Sequence, residues 1–201
     1  MIKNVIFDIG GVLVDFHTDD YYTGLGYSRE MAKKLADATM RSKWWEEYDR
    51  GVFEDAEIRG FFEQDAPDLA EDIEKSLKDL TDIVTKKETT LPWISHLHEM
   101  GKKVYFLSNF SEAALAGCQD AMAFRKECEG GILSFEEQVI KPAPEIYQLL
   151  LTRYHLDPDK SVFLDDTYRN LPMAEYFGIR TILVKSHEQA AADLDAMLRE
   201  S

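Results

Sequence analysis

Four short apolar runs, each stopping at polar residues or a turn, constrain this chain more than any other feature. Val5-Ile6-Phe7 stops at Asp8 and Gly10-Gly11, and Val104-Tyr105-Phe106-Leu107 stops at Ser108-Asn109. Val162-Phe163-Leu164 stops at Asp165-Asp166, and Thr181-Ile182-Leu183-Val184 stops at Lys185. Runs of this length, rich in β-branched and aromatic residues, read as strands. They are apolar at nearly every position rather than at alternate ones, which predicts strands covered on both faces, as parallel sheets require. Helical stretches lie between them. Leu91–Met100 carries Pro92 near its start and Gly101 just past its end, Pro144–Tyr154 puts Ile146, Leu149, Leu150 and Tyr154 on one face, and Asn170–Phe177 ends at Gly178. This alternation predicts right-handed crossovers and an open α/β parallel sheet with helices on both faces.

Residues 16–90 break the pattern. They contain no comparable strand run, and Ser28–Met40, Ser42–Asp49 and Leu69–Val84 read as helices. The expectation is an all-helical cap over residues 16–90, inserted after the first strand above the sheet's C-terminal edge, with residues 1–15 and 91–201 forming the core. A length of 201 residues, 45% of them hydrophobic, suits one globular domain with such an insertion. The 23 Lys and Arg against 38 Asp and Glu give a net charge of −15, which argues against nucleic acid or an anionic membrane as partner. A small phosphorylated molecule stays open, because a pocket can be locally positive. Cys118 and Cys128 fit neither a redox pair nor a zinc knuckle. The apolar stretch Val5–Val14 is interrupted by Asp8 and lacks a cleavage pattern, and no run approaches the roughly 18 apolar residues of a membrane span. A soluble cytoplasmic protein is expected; oligomeric state leaves no trace in the sequence.

In an open α/β sheet the C-terminal ends of the strands form the ligand crevice. Asp8, Ser108, Asn109, Asp165 and Asp166 are therefore expected to converge. Crowded carboxylates repel one another and are costly to desolvate, so a divalent cation gives the cluster a reason, and Mg²⁺ prefers such oxygen ligands. Lys141, in Val139-Ile140-Lys141-Pro142-Ala143-Pro144, is held by two prolines just before a helix. Its ammonium would pair with a carboxylate and with a phosphate oxygen. The Ser108 hydroxyl and the N–H groups opening the helix from Ser111 would cradle the same phosphate. One carboxylate would attack phosphorus, and water would complete the hydrolysis. Taken singly, each residue also has a plain role: Asp8 in a turn, Ser108-Asn109 as a helix cap, Asp165-Asp166 in a solvated loop, Lys141 as a surface charge.

Together, Val5-Ile6-Phe7-Asp8-Ile9-Gly10-Gly11-Val12-Leu13-Val14-Asp15, Leu107-Ser108-Asn109, Lys141-Pro142-Ala143-Pro144-Glu145-Ile146-Tyr147 and Phe163-Leu164-Asp165-Asp166-Thr167-Tyr168-Arg169-Asn170 resemble, in order, the four motifs of the haloacid dehalogenase superfamily. The resemblance covers essentially the whole chain and is strongest to the branch with α-D-glucose-1-phosphate phosphatase and the phosphatase domain of soluble epoxide hydrolase. It implies a Rossmann-like core with a helical cap, and a Mg²⁺-dependent phosphatase of small phosphorylated metabolites. It further implies Asp8 as nucleophile, and Asp8, the Gly10 backbone carbonyl, Asp165 and Asp166 around the metal. Ser108, Asn109 and Lys141 fall on the phosphate-binding positions, and Asn170 on a more variable polar one.

One departure matters. Phosphatases of this superfamily usually carry a second aspartate, the general acid, two residues after the nucleophile, where this chain has Gly10. Loss of general acid catalysis typically costs about 10²–10⁴-fold, so substrates with good leaving groups, such as sugar 1-phosphates, are expected. His17 is either a substitute acid or an exposed hinge residue. Trp44, Trp45 and Tyr48 either line a sugar-binding wall or pack between helices. Two rival functions remain: a metal-independent 2-haloacid dehalogenase, which leaves the Asp165-Asp166 pair unexplained, and a catalytically impaired binding or regulatory protein.

Overall fold

The computed structural model describes residues 1–199. Its strands are β1 (Asn4–Phe7), β2 (Val14–Phe16), β3 (Val84–Lys86), β4 (Lys103–Ser108), β5 (Gly130–Leu133), β6 (Ser161–Asp165) and β7 (Arg180–Leu183). Five of them form one parallel sheet in the order β5-β4-β1-β6-β7. Alternate residues of the central strands feed two separate cores. Val5, Phe7, Val104, Phe106, Val162 and Leu164 point into one, and Ile6, Tyr105, Leu107 and Phe163 into the other. That is the period-2 geometry of a strand, with both faces buried.

Between β2 and β3 run α1 (Thr18–Gly24), α2 (Arg29–Ala38), α3 (Lys43–Arg50), α4 (Asp55–Asp65) and α5 (Ala70–Leu77). The rest of the chain adds α6 (Thr90–Glu99), α7 (Glu112–Gly117), α8 (Ser134–Glu137), α9 (Pro144–Arg153), α10 (Leu171–Tyr176) and α11 (His187–Arg199). The α6 and α11 side chains Trp93, Ile94, Leu97, Ala190 and Leu194 cover one face of the sheet. Ile146, Tyr147 and Leu150 of α9 and Leu171 and Ala174 of α10 cover the other. Phe7 has no exposed surface and meets Trp93 edge-on at 4.7 Å, so Phe7→Ala removes about 3–5 kcal/mol of stability.

The four expected strands form within a residue or so of their expected bounds. The structure corrects the reading of residues 16–90 at its downstream root. The helix expected over Leu69–Val84 stops at Leu77, Asp82 turns with φ 63°, and Val84–Lys86 pairs antiparallel with Val14–Phe16. A three-residue strand this short carries no periodicity to read. The edge strand β5 is also unannounced, because it opens on two glycines. Tertiary contacts demand both: Gly131 lies against Phe106, and the Tyr154 hydroxyl accepts from the Gly131 N–H and donates to its carbonyl, each at 2.9 Å.

Candidate active site

The sheet reverses its direction of growth between β1 and β6, and Asp8 and Asp165 sit at the C-terminal ends of those two strands. The Asp8 N–H donates to the Leu164 carbonyl at 2.8 Å, which locks the two ends side by side. Asp8 Oδ1 accepts from the Ile9 N–H at 2.7 Å and from the Ser108 hydroxyl at 2.7 Å, and lies 2.9 Å from Lys141 Nζ. Among the described residues, Oδ2 has no such partner. One carboxylate oxygen is thus fixed by three donors, which aims the other outward.

Lys141 is almost wholly buried, at 1% exposure, and its ammonium also donates to Asp165 Oδ2 at 2.7 Å. Burial opposes that charge, but Asp8 and Asp165 outweigh it and raise the Lys141 pKa. Asn109 holds the lysine's backbone and also lines the adjoining cavity. Its Oδ1 accepts from the Lys141 N–H at 2.7 Å and its Nδ2 donates to the Lys141 carbonyl at 3.1 Å. Asp165 is completely buried and saturated: Oδ1 accepts from the Thr167 N–H at 2.7 Å, and Oδ2 accepts from Asn170 Nδ2 at 2.9 Å as well as from Lys141. Asp166 is exposed and fills the space beside Gly11, where a Cβ would stand 2.2 Å from Asp166 Oδ2; Gly11, at φ +70°, is the residue that makes room.

One oxygen each from Asp8, Asp165 and Asp166 lies within 4.8 Å of the other two. Three carboxylates facing one ammonium leave two uncompensated negative charges, which a single divalent ion would neutralise. At Asp8 burial pushes the carboxyl up, Lys141 pulls it down, and Asp165 adds to the rise. All-oxygen donors, one of them open at Asp8 Oδ2, match what Mg²⁺ accepts. Gly10 lies on the wall of an adjoining cavity of about 70 Å³, together with Phe16, Trp45, Asp49, Asn109 and Ser111.

His17 stands apart from the cluster. Its side chain is 59% exposed, lies 3.9 Å from Asp15, and lines a different cleft with Asp20, Tyr21 and Thr81. The aromatic residues of α3 divide between their two readings. Trp44 stacks on Phe61 at 4.6 Å and donates to Asp65, and Tyr48 is buried against Trp45 and Phe62. Trp45 does both, packing on Tyr48 while facing the cavity. Two residues that spacing did not mark also belong here. Ser134, fully buried, accepts from the Phe110 N–H at 2.9 Å and donates to the Asp49 carbonyl, tying α3 to the end of β4. Asp49 itself brings a carboxyl to the cavity wall.

A family model described as haloacid dehalogenase-like hydrolase matches residues 2–178. The chain is 27% identical to D-ribitol-5-phosphate phosphatase of Bacteroides thetaiotaomicron, over 90% of its own length and 91% of that protein's. Its fold is similar to that of a haloacid dehalogenase family enzyme from B. thetaiotaomicron, solved with magnesium and inorganic phosphate, with a TM-score of 0.69, 24% identity and 92% and 95% of the two chains covered. It is equally similar, at TM-score 0.69 and 19% identity over 98% and 83% of the chains, to L-2-haloacid dehalogenase from Xanthobacter autotrophicus with chloropropionic acid covalently bound. Among the described residues no helix is long and apolar enough to cross a membrane. With a model match over most of its length, and with all four motifs gathered at one end of the sheet, the chain belongs to the haloacid dehalogenase-like hydrolases.

Proposed function

We propose that this hydrolase is a Mg²⁺-dependent phosphatase of small phosphorylated metabolites, with Asp8 as its nucleophile and residues 16–90 as a cap over the core formed by 1–15 and 91–201. One observation carries the reading: Asp8 has one oxygen fixed by three donors and the other free, beside two further carboxylates and a buried ammonium. The free oxygen attacks phosphorus and forms an aspartyl-phosphate, which water then cleaves. Lys141 is held by Asp8, Asp165 and the Asn109 clamp, and its ammonium has a third N–H to offer a phosphate oxygen. Ser108 keeps the nucleophile oriented, and Asp165 with Asn170 keeps the lysine charged and in place. A Mg²⁺ ion held by Asp8, Asp166 and the Gly10 carbonyl, with Asp165 behind it, would neutralise charge on the transferring phosphoryl group.

The family includes dehalogenases, but the two unbalanced negative charges around Asp8 support a site built for a cation. The relative that acts on D-ribitol 5-phosphate supports sugar and polyol phosphates as the substrate class. The free thiols of Cys118 and Cys128 support a reducing, cytoplasmic setting. The test is phosphate release with Mg²⁺ from a panel containing glucose 1-phosphate, glucose 6-phosphate, ribitol 5-phosphate and 4-nitrophenyl phosphate. Turnover that disappears in Asp8→Asn is expected; an Asp8→Asn protein as active as the wild type refutes the assignment.

A further inference from the structure

A phosphate ester of an alcohol cannot release its alkoxide at neutral pH without a proton, and the groups around Asp8 are badly placed to give one. Lys141 is shared between two carboxylates, and both oxygens of Asp165 accept hydrogen bonds. Gly10 has no side chain, and a Cβ there would meet nothing within 4 Å, so the cavity at its Cα is open space rather than packed core. Asp49 lines the same cavity and, among the described residues, is the one titratable side chain on its wall. Among the described residues its carboxyl accepts no hydrogen bond, so both oxygens are free to meet a ligand.

We infer that Asp49, carried by the last turn of α3, is the proton donor to the leaving group in the phosphatase reaction proposed above. Several contacts hold it there. Its carbonyl accepts from Ser134, which in turn is bonded to Phe110, the second residue past β4. Gly51 closes α3 in the left-handed conformation at φ +72°, where a Cβ would lie 2.7 Å from Phe135. Glu46, one turn earlier, meets Arg169 of the loop after β6 at 2.5 Å. Of the charged groups nearby, burial comes first and, with Asp8 and Glu46, pushes the Asp49 carboxyl up to about 8 against the opposing pull of Lys141. Of the helices packed on α3, α4 brings Asp55, paired with Arg59, and Glu63; α8 brings Glu137, paired with Arg153, and Glu136. Burial and the neighbouring carboxylates thus favour the protonated form of Asp49, the form a donor needs.

The steps balance. As Asp8 Oδ2 bonds to phosphorus, the ester P–O bond breaks, its electron pair stays on the leaving oxygen, and the Asp49 proton neutralises it. The Asp49 carboxylate then takes a proton from the water that attacks phosphorus. The P–O bond to Asp8 breaks, releasing inorganic phosphate and restoring both side chains.

The inference rests on the phosphatase reading, and the substrate pair separates the two. Measured as kcat/KM, Asp49→Asn should lose about 10²-fold or more on the best alkyl phosphate of the panel, while 4-nitrophenyl phosphate, whose phenolate leaves unprotonated, is nearly untouched. The wild-type alkyl rate should fall as pH rises through the Asp49 pKa, and this alkaline limb should vanish in the variant. Equal loss on both esters, or a wild type that cleaves the aryl ester alone, overturns the role of Asp49 and leaves Asp8 standing. Turnover that survives Asp8→Asn overturns the phosphatase reading itself.

Discussion

At the strand ends Lys141 is 1% exposed and touches two carboxylates within 3 Å; where α3 meets the loop after β6, Arg169 and Glu46 meet at 2.5 Å with side chains 54% and 44% exposed. The distances are alike and the energetics are not. A buried pair loses both its ions' hydration, so removing one partner strands the other, whereas an exposed pair exchanges one solvated state for another. The strand-end cluster is consequently fixed in place. The α3 seam joins that exposed ion pair to the buried Ser134 bridge and to a bond from Lys87 Nζ to the Gly11 carbonyl at 2.6 Å.

The sharpest break of the comparison lies at the nucleophile. Asp8→Asn should lower kcat by about 10⁴-fold or more, read as phosphate release under saturating substrate. Chelation should reach nearly the same floor, and added Mg²⁺ should restore the rate; full activity in excess EDTA would remove the cation from the site. Lys141→Ala leaves Asp8 and Asp165 buried without a counter-charge and should cost about 3–5 kcal/mol, measured by denaturant unfolding. Ser134→Ala strips the Phe110 N–H of its acceptor and frees the Asp49 carbonyl; about 1–3 kcal/mol is expected, with a rise in KM as α3 loosens. Arg169→Ala should be the mildest, within about 1 kcal/mol in stability, its effect appearing instead as faster substrate exchange. A seam mutation costing as much as Lys141→Ala would erase the distinction.

Much of the core was readable in advance because its signals are local. Asp8 ends an apolar run, as do Ser108 and Asp165, and a strand's end is also where an open sheet holds its ligand. Asn170, the polar residue four positions beyond Asp166, is a partner of Asp165. Asn109 clamps the Lys141 backbone, a use no spacing reveals, and its second Nδ2 hydrogen stays open to a ligand. The glycine strand at Gly130–Leu133 and the pairing of Val14–Phe16 with Val84–Lys86 stayed hidden because partners far along the chain create them.

What the sequence decided alone was which side chains stand at the strand ends, since hydrophobic runs and turn residues fix strand limits through short-range interactions. Only the tertiary structure decided which face of α3 meets the core, and so put Asp49 rather than His17 on the cavity beside Gly10. The physical reason is that a helix's orientation over a sheet is set by contacts such as Gly51 on Phe135 and Ser134 on Asp49, between residues more than eighty positions apart.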